Sequence, residues 1–263
     1  MTNTGRKPEW LLNLCKGKSP GVILIDGDIE KTPCLDFAYE IGATMMEVGV
    51  AKRLCVWSRR AFLWLYGRLL VGDSAGDAHC WTITKEVGIL PPLLQPLAGT
   101  LIEDDLDIDA RMSLHGMLNA PEFASSKLCV GGGDMTIIDF KENISLEFLE
   151  HLNGAAKESG KTFVVASELV DSQGKPYDAA SYGELALRIS VEQGFDLTEC
   201  TECVVSLRVQ DGVRRRNGMP GRVLCRPMRI WNDDKCGDLP LLVGRYEQGR
   251  FIFEKEESND ETK

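Results

Sequence analysis

Lys31 and Thr32 are the residues of this chain most able to hold a phosphate. They follow the apolar run Val22-Ile-Leu-Ile25 and the turn Asp26-Gly27-Asp28-Ile29-Glu30, and they precede Pro33 and a run of helical character. In such a layout, backbone N–H groups and a helix N-terminus cradle the anion, the lysine adds charge, and the threonine hydroxyl can ligate Mg²⁺. One residue argues against that chemistry. Glu30 stands where a phosphate-cradling loop needs glycine, so a carboxylate would face the anion and repel it. Three further positions could belong to the same site, each at the end of an apolar segment: Arg60 beyond Arg53–Ser58, Asp139 closing Met135–Asp139, and Glu168 after Phe163–Ser167.

Positioning these residues requires strands that end side by side. Val22–Ile25 reads as a buried parallel strand, and the helix after Thr32, opening at Pro33, runs to Gly49. Arg53–Ser58 is a second buried strand, with an apolar helix, Ala61–Leu70, after it. The segment 72–126 has little readable order beyond one expected helix, Asp109–Leu118. Strands are expected at Leu128–Val130, Met135–Phe140, Lys161–Leu169 and Cys203–Val209. Helices are expected from Ser145 to Gly160 and over Tyr182–Ser190. Short strands and turns follow, at Arg222–Trp231, Leu239–Tyr246 and Arg250–Glu254. This alternation predicts an α/β fold whose mostly parallel sheet ends in antiparallel C-terminal strands. Residues 1–20 form a lead-in containing a helical turn at Trp10–Leu14, 21–254 the domain, and 255–263 a disordered acidic tail.

Read in order, these pieces resemble the RecA-like P-loop ATPase core, and most of all the C-terminal motor domain of DnaB-type replicative helicases. Asp28-Ile-Glu30-Lys31-Thr32 occupies the Walker A place. Trp57-Ser58-Arg59-Arg60 resembles the family's Ser-Leu-Glu strand end, and Thr136-Ile-Ile-Asp139-Phe140 its Walker B strand. Phe163-Val-Val-Ala-Ser167-Glu168-Leu169 resembles the Ser-Gln-Leu strand end. Arg226 and Arg229 lie where the family places a finger that reaches a neighbour's nucleotide. The resemblance implies a RecA-like twisted sheet and, for an intact site, ATP with Mg²⁺ held through Asp139. The departures act together. Glu30 obstructs the cradle, Arg60 replaces the family's water-polarising Glu and cannot act as a base, and Glu168 makes a neutral sensing position acidic. The resemblance therefore implies a catalytically degenerate ATPase-fold protein with no bound cofactor, an accessory or assembly partner in DNA replication or recombination. The alternatives are an active ATPase subunit, with Glu168 or Glu40 acting on water, and a scaffold with no nucleotide role.

Charge and composition narrow the partners. The net charge is −10 over 263 residues, which disfavours nucleic-acid binding by the chain as a whole. It is unevenly spread. Glu103, Asp104, Asp105, Asp107 and Asp109 are acidic, while Arg208, Arg214, Arg215, Arg216, Arg222, Arg226 and Arg229 form a basic stretch. The basic stretch admits three readings: a finger at a neighbour's site, a loop on single-stranded DNA, or a solvated hairpin tip at Arg214–Arg216. Complementary stretches also suggest self-association or pairing with a related ATPase or helicase. Nine cysteines without framework spacing and no apolar run long enough for a bilayer point to the cytoplasm. Cys200-Thr-Glu-Cys203 is a lone CxxC, and Cys225 and Cys236 supply no second tight pair for zinc, so Cys203 is expected to pack in the core. His79, His115 and His151 form no triad, and Trp57, Trp64 and Trp81 read as core.

Overall fold

In the computed structural model, residues 7–17, 19–28, 32, 34–51, 54–58, 78–82, 135–139, 143–209, 222–231, 242–247 and 250–254 are described. Their elements in chain order are α1 (Glu9–Lys16), β1 (Gly21–Asp26), α2 (Cys34–Glu47), β2 (Leu54–Ser58), β3 (Ala78–Thr82), β4 (Met135–Asp139) and α3 (Leu146–Ser159). After these come β5 (Thr162–Ser167), α4 (Tyr182–Gln193), α5 (Leu197–Cys200), β6 (Cys203–Val209), β7 (Val223–Arg229), β8 (Leu242–Glu247) and β9 (Arg250–Glu254). The strands form one sheet in the order β3-β2-β4-β5-β1-β6-β7-β8-β9. From β3 to β6 every pairing is parallel, and β6 to β9 are joined antiparallel. The fold is α/β with a mixed, mostly parallel sheet flanked by helices.

All six residues of β1 are buried, because helices cover both faces of the sheet there. Ile23 and Ile25 face one apolar cluster, with Phe37, Ala38, Ile41 and Met45 of α2 and Leu11 and Leu14 of α1. Val22 and Leu24 face the other, with Phe148, Leu149 and Leu152 of α3 and Leu185 and Ile189 of α4. Each fully buried aliphatic side chain here contributes roughly 1.5–3 kcal/mol of transfer free energy. Such alternation along the apolar run Val22–Ile25 is what makes β1 the spine of the sheet.

The helices are terminated by sequence signals. Ser145 caps α3, its Oγ accepting from the Phe148 N–H at 3.2 Å, and Gly160 ends it with a left-handed φ of 69°. Ser181 caps α4 through the Glu184 N–H, while the Glu184 carboxylate accepts from the Ala180 N–H at 2.9 Å. Asn153, fully buried on α3, ties three elements together. Its Oδ1 accepts from the Val22 N–H at 2.8 Å, and its Nδ2 donates to the Glu199 carbonyl at 2.8 Å.

Several sequence expectations shift. α2 begins at Cys34, two residues beyond Thr32, and α1 extends over two turns rather than the one expected at Trp10–Leu14. β3 emerges within the segment that had little readable order, and Trp57 and Trp81 are partners across β2 and β3. The strand expected at 128–130, the helices expected at 61–70 and 109–118, and the acidic tail lie outside the described residues. Among the described residues, no helix is long and apolar enough to cross a membrane.

Candidate functional site

The parallel strands share one carboxyl edge, and the polar ends of the strands line it. Register places Thr82 beside Ser58 and Ser58 beside Asp139; further along, Ser167 lies beside Asp26 and Asp26 beside Ser206. After β1 the chain passes to the α2 face. After its neighbour β5 it passes to the α4 face. Adjacent parallel strands whose connections part in this way open a crevice at their carboxyl ends, the usual place for a ligand in such sheets. Asp28, Thr32, Asp139 and Glu168 therefore sit along one edge. The Asp139 side chain is not described, and Glu30, Lys31, Arg60 and Arg214–Arg216 lie outside the described residues.

The described residues after β1 are held by hydrogen bonds to their neighbours. The Gly27 N–H donates to the Ser167 carbonyl at 3.2 Å, and the Thr32 N–H donates to the Asp28 carbonyl at 2.8 Å. The Thr32 hydroxyl donates to that same carbonyl at 2.6 Å and lies 2.7 Å from Cys34 Sγ, with Thr32 itself buried. Burial pushes the Cys34 thiol up to about 12. Gly27 has no room for a side chain, since a Cβ there would meet the Leu207 carbonyl at 2.7 Å and Cys34 Sγ at 2.8 Å. From Gly27 to Lys31 the loop also runs two residues short of the spacing between first glycine and lysine in a full phosphate cradle.

Beside the loop lies an ion pair absent from the motif reading. Asp26 ends β1 almost without exposure, and Arg208 on β6 donates to its Oδ2 at 2.6 Å. The same guanidinium donates to the carbonyls of Asp26 at 3.0 Å, Leu207 at 3.0 Å and Tyr177 at 3.2 Å. Asp26 Oδ1 accepts from the Leu169 N–H at 2.9 Å. Burial raises the Asp26 pKa above its ordinary value, and the Arg208 charge and these hydrogen bonds only partly offset it. One ion pair thus latches β1, β6 and the connection after β5. That connection is itself organised around Asp171, whose Oδ1 accepts from the N–H groups of Gln173 and Lys175, both at 2.8 Å. The loop ahead of α3 is held to β5 in turn: Ser167 Oγ accepts from the Ile144 N–H at 2.8 Å, and Asn143 Oδ1 accepts from the Glu168 N–H at 3.3 Å.

The two arginines of β7 differ from each other in exposure. Arg226 is partly exposed, pairs in register with Ser206, and donates to the Ala180 carbonyl at 3.1 Å. Arg229 is buried. A bulge between Val204 and Val205 shifts the register, and its guanidinium donates to Tyr182 Oη at 2.9 Å, with its carbon 5.1 Å from that ring's centre. It also donates to the Trp231 carbonyl at 2.9 Å. Arg229 is accordingly engaged within its own chain. Cys200, Cys203 and Cys225 are buried free thiols, and no cluster of three metal-ligating side chains occurs among the described residues.

A cavity of about 270 Å³ opens next to the latch on the α4 side, with Asp26, Ser206, Arg208 and Tyr177 in its wall. No protein-family model matches the sequence, and no curated protein matches it.

Proposed function

We propose that the chain is a RecA-like domain, related to DnaB-type helicase motors, that has lost nucleotide hydrolysis and serves as an accessory or assembly partner in DNA replication or recombination. The observation that carries the loss is the use of Thr32. Its hydroxyl and its N–H, the groups such a loop offers to Mg²⁺ and phosphate, both bond the Asp28 carbonyl. Glu30 and the short loop act in the same direction, and Arg60, standing where the family has its Glu, cannot act as a base. The mostly parallel sheet, its antiparallel C-terminal strands and the alignment of the motif-bearing strand ends along one edge support the RecA-like assignment.

Calorimetric titration with Mg²⁺-ATP, run beside a turnover assay, tests the reading. The expected result is neither binding nor turnover. ATP turnover that disappears in Lys31→Ala would overturn it. The assembly role is tested by sedimentation at low and high salt, because association through opposite charge stretches weakens as salt screens them. A strictly monomeric protein at low salt excludes assembly by that route.

A further inference from the structure

The cavity beside the latch carries two opposite charges that do not satisfy each other. Asp178 and Arg226 both line it, yet no ion pair joins them, and among the described residues neither has another ionic partner. The one hydrogen bond of the Arg226 guanidinium to a described residue goes to the Ala180 carbonyl, which leaves most of its donors unused. Asp26 and Arg208 in the same wall are already paired. Besides Ser206 and Tyr177, the remaining surface is apolar: Leu185 and Met228 are buried there, and Leu224 is partly buried. A cavity of about 270 Å³ lies just under the ~300–1,000 Å³ range of sites for drug-sized ligands, so its occupant is small.

We propose that this cavity binds a small apolar α-amino acid as its zwitterion. The carboxylate meets Arg226, whose planar fork suits it, the ammonium meets Asp178, and the side chain lies against Leu185, Leu224 and Met228. Inorganic phosphate is a poorer occupant, because it brings two negative charges towards Asp178 and leaves the apolar wall uncovered. A monocarboxylate without an amine offers the exposed Asp178 no cationic partner and gains nothing from it. This inference is independent of the nucleotide reading, since none of its three contacts uses the loop after β1.

Calorimetry on the full chain with L-leucine, N-acetyl-leucine, leucinamide and inorganic phosphate decides it. Leucine is expected to bind and phosphate not to. Blocking either the amine or the carboxylate is expected to weaken binding about tenfold or more, as is Arg226→Gln or Asp178→Asn. Thermal melting of the two variants checks that they fold. Equal affinity for N-acetyl-leucine would mean that the cavity takes the end of a polypeptide and would overturn the zwitterion assignment. Preference for phosphate, absence of leucine binding, or indifference to both substitutions would also overturn it.

Discussion

Asp26 places its carboxyl at a point where the fold offers it almost no water, and its partner Arg208 is the more exposed of the two, at 36% against 2%. The energetics of such pairs are asymmetric. Removing one partner strands the other, whereas replacing both by apolar groups of similar size is often neutral. Arg208→Ala should therefore cost about 2–3 kcal/mol, somewhat below the ~3–5 kcal/mol of a fully buried pair because Arg208 keeps some water. Asp26→Leu combined with Arg208→Met should recover most of that loss in urea denaturation. The pH dependence has a definite sign. A carboxyl whose pKa is raised by folding holds its proton more tightly in the native state. Its contribution to stability is full below the ordinary aspartate range and is lost as pH rises through the raised value. Asp26→Asn should flatten that falling limb in denaturation measured from acid to neutral pH. Cys34 makes a further residue-scale prediction. With its thiol pushed up to about 12, and buried beneath Thr32, it should resist iodoacetamide in the native protein and react once unfolded, as read by mass spectrometry. The motif reading passed over Asp26, because an aspartate ending an apolar strand has no pattern around it. Arg208, which explains it, stands far along the chain and was visible only as one of seven basic residues.

Elements were legible where their own sequence carried the whole signal. Val22–Ile25 and Phe163–Ala166 are uninterrupted apolar runs, Val204–Leu207 is broken only by Ser206, and all are buried in the sheet. Ser145 with Gly160 gave the limits of α3 directly. β3, Ala-His-Cys-Trp-Thr, was not legible, because its mixed polarity lies among prolines and acids and its only described neighbour is β2. α5 is four residues long, too short for periodicity, and is held by Asp196, whose Oδ1 accepts from the Thr198 N–H at 2.9 Å. The Thr198 hydroxyl, which donates to the same oxygen at 2.7 Å, and this N–H hold the Asp196 carboxyl below its usual range. The shape of the candidate site was half legible. The strand ends were found from sequence, but the turning of Thr32 inward onto Asp28 and Cys34 is encoded by no motif. Cap and anchor effects follow at this scale. Ser181→Ala should lower stability by about 1 kcal/mol. Asn153→Ala, which leaves the buried Val22 N–H without a partner, should cost about 1–3 kcal/mol or more, both measurable by chemical denaturation.

The sheet as a whole joins distant parts of the chain at its centre. Gly21 pairs with Thr162, and Ile23 with Cys203, so both neighbours of β1 come from far downstream, whereas β7, β8 and β9 pair with strands next to them in sequence. A sheet of this kind closes long loops before its central contacts stabilise it, which makes folding slow and leaves it open to misassembly. The order of synthesis sharpens the point. At about 5–20 residues per second, a ribosome needs on the order of ten seconds between delivering β1 and delivering β5. Throughout that interval the nascent chain presents a bare apolar segment, Val22-Ile-Leu-Ile25, whose hydrogen-bonding partners have not yet been made. Messages truncated before the codon for Thr162 would therefore yield chains bound by chaperones or degraded, while a break after Glu254 would leave every described strand of the sheet in place.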